Sequence, residues 1–150
     1  MTRALIAVGA ALALLVGGLA LAVYVTRDED NVQVDNLLSE NFTREVASAS
    51  ADGTDLDLRR IAPFDWARLL VVAPGTPDAE ISERLGYEWT GTLGFETGEK
   101  LILLDGEGKV ERFFDYRGEG AFTGLPTPIA ELARDEAVFR VRRLQITPKG

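Results

Sequence analysis

The sequence predicts an α+β fold: one N-terminal transmembrane helix, then a small domain with an antiparallel sheet of about four to five strands and two short helices on one face. Three observations predict it. An uncharged apolar run extends from Ala4 to Val25. Strand-like and helix-like patterns alternate in the order β-α-β-β-β-α-β between residues 58 and 150. The turn string Asp105-Gly106-Glu107-Gly108 joins two apolar stretches over a short distance, which favours antiparallel pairing. About 90 residues can bury one modest core but do not promise a large enclosed cleft.

Composition excludes several kinds of chemistry. The chain has 150 residues, 16 Lys+Arg, 24 Asp+Glu, no His and no Cys. Without Cys there is no disulfide framework, no thiol nucleophile and no lipid-modified cysteine. Without His there is no Ser-His-Asp triad and no His-ligated zinc. The formal charge of −8 argues against a nucleic-acid partner, which calls for a basic footprint. Asp28-Glu29-Asp30 lacks the spacing and the glycine of a calcium loop, so no metal and no cofactor are expected.

The elements follow in chain order. As a helix, the 22 residues from Ala4 to Val25 span roughly 33 Å, enough for a ~30 Å hydrocarbon layer. The expected partner of residues 4–25 is therefore the lipid bilayer. The run outlasts an ordinary signal h-region of about 7–15 residues, which favours an uncleaved anchor. The small-x-small triplet Ala20-Leu21-Ala22 keeps the other reading open, a signal peptide cut after Ala22 and a secreted domain. Arg3 flanks one side and Arg27 the other. A three-residue N-terminal tail before a first span places the N-terminus in the cytoplasm and the C-terminal domain outside. That acidic domain is expected to stand off anionic headgroups.

Residues 26–57 read as an acidic and polar stalk, because Phe42 is the one aromatic between Tyr24 and Phe64. Within it, Val34, Leu37, Leu38, Phe42 and Val46 recur at spacings of three and four. They predict an amphipathic helix over roughly 35–49, with Asp35 as N-cap. The compact domain is expected from residue 58 to 150. Leu69-Leu70-Val71-Val72 is a buried-strand run within 67–73, ended by Pro74-Gly75. Thr76, Pro77, Asp78 and Glu80 open a short helix with an Ile81–Leu85 stripe and Gly86 as a left-handed cap. Aromatics at 87, 89 and 95 predict a half-buried strand over 87–95. Residues 100–104 and 109–116 form a hairpin around the D-G-E-G turn. Thr127-Pro128 predicts a second short helix to about residue 134, and 137–146 predicts a last strand. Its alternation slips at Arg142-Arg143, which suggests a bulge or an edge.

The candidate ligand-binding residues are Phe64, Asp65, Trp66, Trp89 and Tyr116. Phe64-Asp65-Trp66 pairs a carboxylate with aromatic faces, as a sugar site does. The ordinary fate of such aromatics is to cover a core edge while the Asp caps a turn. Asp65, Asp105, Glu111 and Asp115 are the carboxylates available for acid/base work, which needs two at about 5–9 Å and a raised pKa on one. Arg140, Arg142, Arg143 and Lys149 make the C-terminus locally basic. That suggests edge-strand protection or, alternatively, contact with an acidic segment or an anionic polymer.

Pro63-Phe64-Asp65-Trp66, Leu70-Val71-Val72-Ala73-Pro74, Thr76, Ile81 and Leu85-Gly86-Tyr87-Glu88-Trp89 together resemble a pattern of small bacterial membrane-anchored or lipoprotein domains. The strand pair over 101–114 is also similar, so the likeness covers about 63–116. It implies an extracytoplasmic location and no particular activity. Gly75 stands where an aromatic is common in that pattern, which argues against a shared ligand platform there. The reading that follows is a membrane-anchored extracytoplasmic binding or scaffolding domain without catalysis, its partner an envelope protein or a wall polymer. The alternative is a carboxylate-dependent envelope hydrolase using Asp65, Asp105 and Asp115.

Overall fold

The computed structural model describes residues 34–91 and 97–150. The apolar run 4–25 and the triplet 20–22 lie outside them. Among the described residues no helix is long and apolar enough to cross a membrane.

The domain is α+β and contains two four-stranded sheets rather than one. The first is antiparallel throughout, in the order β4 (Val110–Asp115), β3 (Lys100–Leu104), β2 (Arg68–Val72), β6 (Ile129–Ala133). The second runs β1 (Asp55–Asp57), β7 (Val138–Arg142), β8 (Gln145–Pro148), β5 (Ala121–Phe122), and its β5–β8 pair is parallel. Among the described residues three α-helices complete the domain, α1 (Asn36–Asp52), α2 (Leu58–Ile61) and α3 (Asp78–Leu85), with a 3-10 turn at Arg134–Glu136.

α1 occupies the helix expected over 35–49. Asp35 caps it, accepting from the Leu38 N–H at 2.9 Å, and Gly53 closes it at φ 67°. The helix does not lie in a stalk. Leu38, Phe42, Val46 and Ala49 are buried in one core with Leu69, Val71, Leu101, Leu103 and Phe114 of the first sheet and Leu56, Phe139, Val141 and Ile146 of the second. Phe42 reaches ring partners far away in sequence: Phe114 at 5.3 Å, Tyr116 at 5.6 Å and Phe122 at 6.1 Å. The compact unit accordingly includes α1 and does not begin at residue 58.

Alternate residues of the first sheet face the other way. Leu70, Val72, Ile102, Leu104 and Phe113 form a second core with Ile81 of α3 and Trp89. A sheet covered on both faces needs apolar residues throughout, which is why β2 and β3 read as unbroken apolar runs. α3 ends at Gly86, φ 81°, whose N–H donates to the Ser82 carbonyl. Its N-cap is Pro77, and Thr76 instead donates its hydroxyl to the Ala73 carbonyl at 2.7 Å.

Three expected elements differ. Residues 129–133 form β6 and not a helix. Pairing with β2 satisfies the backbone while Ala130 and Leu132 face one core and Ile129 the other. Residues 87–91 form no strand, and 92–95 lie outside the described residues. The slip at Arg142-Arg143 is a hairpin turn: Arg143 and Leu144 take φ 51° and 62°, and β8 follows.

The placement of α1 yields a first prediction. Phe42→Ala should cost about 3–5 kcal/mol in urea unfolding. Leu37→Ala, at a side chain 68% exposed on the same helix, should cost less than ~0.5 kcal/mol. Equal small losses would contradict the packing of α1.

Candidate functional site

The Phe64-Asp65-Trp66 string lies between α2 and β2. Trp66 is 2% exposed, and its indole N–H donates to the Ala62 carbonyl at 3.0 Å. Arg134, from the turn between β6 and β7, lies over the Trp66 ring at 5.4 Å and faces the Asp65 carboxylate at 3.6 Å. Arg112 of β4 lies over the Phe64 ring at 4.5 Å and pairs with Asp35 at 2.8 Å. Guanidinium groups thus occupy the ring faces on which a sugar would stack. The Asp65 side chain is fully exposed, and a surface pair of this kind contributes little stability.

The other two candidate aromatics are elsewhere. Tyr116 is buried in the first core, its hydroxyl accepting from the Gly120 N–H at 3.0 Å. Burial pushes its phenol above the ordinary tyrosine pKa. Trp89 is buried in the second core, edge-on to Phe113 at 5.0 Å. The first sheet therefore separates Trp89 from Phe64, Trp66 and Tyr116, and the five candidates do not converge on one surface.

The carboxylates do not converge either. Asp105 Oδ1 accepts from the N–H groups of Glu107 and Lys109, both at 2.8 Å, and so builds the hairpin turn. Asp115 is buried at the opposite end of β4, where it pairs in register with Lys100. The length of β4 sets the two roughly 17 Å apart, well beyond acid/base reach. Glu111 is exposed on β4. Asp65 lies fully exposed on the surface, in no cleft. Among the described residues no three acidic groups gather as a metal site.

Two surfaces remain with functional geometry. One is an open polar groove of about 430 Å³ between α1, β1 and α2, lined by Arg44, Glu45, Ser48, Asp55, Asp57 and Arg60 among others. A side-chain hydrogen bond from Lys149, at 2.6 Å, holds the Asp55 carboxyl below its usual range. Arg59 does the same for Asp57 at 2.8 Å, through its guanidinium first and its backbone N–H second. Sequence reasoning missed this groove. Its one legible signal was Arg44 and Ser48, four apart on the face of α1 opposite the apolar stripe.

The other surface is the outer face of the second sheet. Phe139, Val141 and Ile146 point into the core, so Arg140, Arg142, Gln145 and Thr147 point out. β7 lies between β1 and β8, so these arginines guard no edge, contrary to the expectation of edge protection. Among the described residues, no carboxylate lies within ion-pair distance of Arg140, Arg142 or Arg143. Both surfaces are open and carry mixed polar groups and cations.

Comparison with family models, curated proteins and solved structures finds no match to the chain.

The Asp57 carboxyl makes the fold pH-sensitive in a definite direction. Its folded pKa lies below the reference value of 3.8. It therefore stabilises the fold above that value, and the contribution is lost as pH falls through the lower folded value. Wild type should exceed Asp57→Asn in urea stability at about pH 6, with the gap closing by pH ~2–3. A gap unchanged by pH would contradict the assignment. Tyr116 works at the other limit. Its raised pKa means that the unfolded chain ionises first, so stability should fall as pH rises above about 10, and less so in Tyr116→Phe.

Proposed function

We propose that the chain is a single-pass membrane protein, N-terminus in the cytoplasm, whose domain binds or scaffolds a partner outside it and performs no catalysis. The observation that carries this is the 22-residue uncharged run from Ala4 to Val25, with the domain following closely behind it. Residues 26–33 separate the run from Val34 and reach at most roughly 28 Å when fully extended. The run is long enough to span a bilayer.

Two features support binding over chemistry. The aromatics that suggested a ligand platform cover cores or lie beneath guanidinium groups. Asp105 and Asp115 stand at opposite ends of one hairpin. The partner proposed is an envelope protein or a wall polymer. Release of a secreted domain, by cleavage after Ala22, is the second reading, favoured by the small-x-small triplet Ala20-Leu21-Ala22.

Fractionation and protease access test the reading together. Full-length chain should stay in the membrane pellet through alkaline carbonate extraction. Protease added outside intact spheroplasts should destroy the domain. A mature N-terminus at Val23 would establish release instead. Unprocessed chain protected from protease in the soluble cytosol would overturn both readings.

A further inference from the structure

We propose that the outer face of the second sheet is a docking surface for an extended phosphodiester polymer, which deepens the binding function above and rests on it. Arg140 and Arg142 lie two residues apart on the same face of β7, about 7 Å along the strand. Arg143 follows in the turn, and Lys149 follows β8. Among the described residues Arg140, Arg142 and Arg143 form no direct ion pair, as Arg44 and Arg60 form none; Asp55 attracts Arg140 and Arg142 without contact, and Arg142 donates one N–H to the Val141 carbonyl at 2.8 Å. The carboxylate facing them is Asp55, opposite Arg140 in register, and Lys149 already holds it. Asp57, next along β1, is held by Arg59. The face is therefore locally cationic on a chain of formal charge −8.

Its chemistry points to phosphate. The cations of β7 and its turn, Arg140, Arg142 and Arg143, are all arginines, whose planar forks match phosphate oxygens with two parallel donors. Gln145 and Thr147 lie beside them on β8 and add neutral donors. Arginines in a row on a flat strand suit a chain of repeated phosphates better than one ion, because each added contact gains from those already made. A chain of formal charge −8 is disfavoured at anionic headgroups, so the phosphate source proposed is a free polymer.

The test uses the full chain in phosphatidylcholine nanodiscs, with a glycerol phosphate polymer as probe. Wild type should retain the polymer at low salt and release it as salt rises. Arg140→Ser/Arg142→Ser should weaken binding about tenfold or more with an unchanged unfolding midpoint. Arg142→Lys, which keeps the charge and loses the fork, should weaken it less. Arg84→Ser/Lys109→Ser, two exposed cations on α3 and the β3–β4 turn beside the first sheet, should bind like wild type. The proposal is overturned if wild type does not retain the polymer, if the double serine variant binds as wild type does, or if polyglutamate binds equally well. It is also overturned if phosphatidylglycerol nanodiscs, without polymer, occupy the face. Absence of polymer binding by a domain shown to be extracytoplasmic defeats this inference alone. A cytoplasmic domain defeats the reading beneath it.

Discussion

Burial of one helical stripe, Leu38, Phe42, Val46 and Ala49, holds the two sheets in a common core. The second sheet has a solvated outer face. Its inner residues Leu56, Phe139, Val141 and Ile146 stay dry because they share that core with α1 and the first sheet. Phe42 is the centre of the arrangement. Its ring neighbours come from β4, the segment after β4, and β5, and Phe122 continues the aromatic chain to Phe139 of β7 at 5.4 Å. Polar contacts fix the helix along its length. Asp35 caps it and pairs with Arg112, Ser39 donates its hydroxyl to the Asp115 carbonyl, and Ser50 accepts from the Leu144 N–H.

Arginines close the rims of this core. Arg112 joins Asp35, at the start of α1, to the Phe64 ring, and Arg134 joins Asp65 to the Trp66 ring. On the first sheet, Glu131 of β6 receives both Arg68 of β2 and Arg84 of α3. Each pair is exposed and individually weak. In the first two, a planar guanidinium lies over an aromatic ring. Phe64-Asp65-Trp66 is thereby a structural latch, and the side chains without such an assignment lie elsewhere, on β7 and in the groove beside α1.

Local chemistry was readable in the sequence, and long-range pairing was not. Asp35, Gly86 and the Asp105–Gly108 turn act on backbone groups a few residues away, and each does what its type predicts. The string TPxAE shows the limit. At 76–80 it opens α3, and at 127–131 it enters β6. Asp78 favours the positive end of a helix dipole, whereas Ile129 is β-branched and packs in the second core beside β2. Phe42 was misleading for a related reason. As a lone aromatic it suggested a stalk, but its partners lie more than 70 residues further on. The arginines of β7 were visible as a basic cluster. That Arg140 and Arg142 lie on an interior strand, facing out beside Asp55, followed from the order β1-β7-β8-β5 and its register.

The rigidity of the domain depends on α1. Amide hydrogen exchange on the full chain tests that dependence most directly. The N–H groups of residues 42–49 should exchange only through global unfolding, as slowly as those of β2 and β3. Exchange of α1 at the fast rates of a fraying helix, with β2 and β3 still protected, would show that the helix is a loose spacer and that the shared core does not exist.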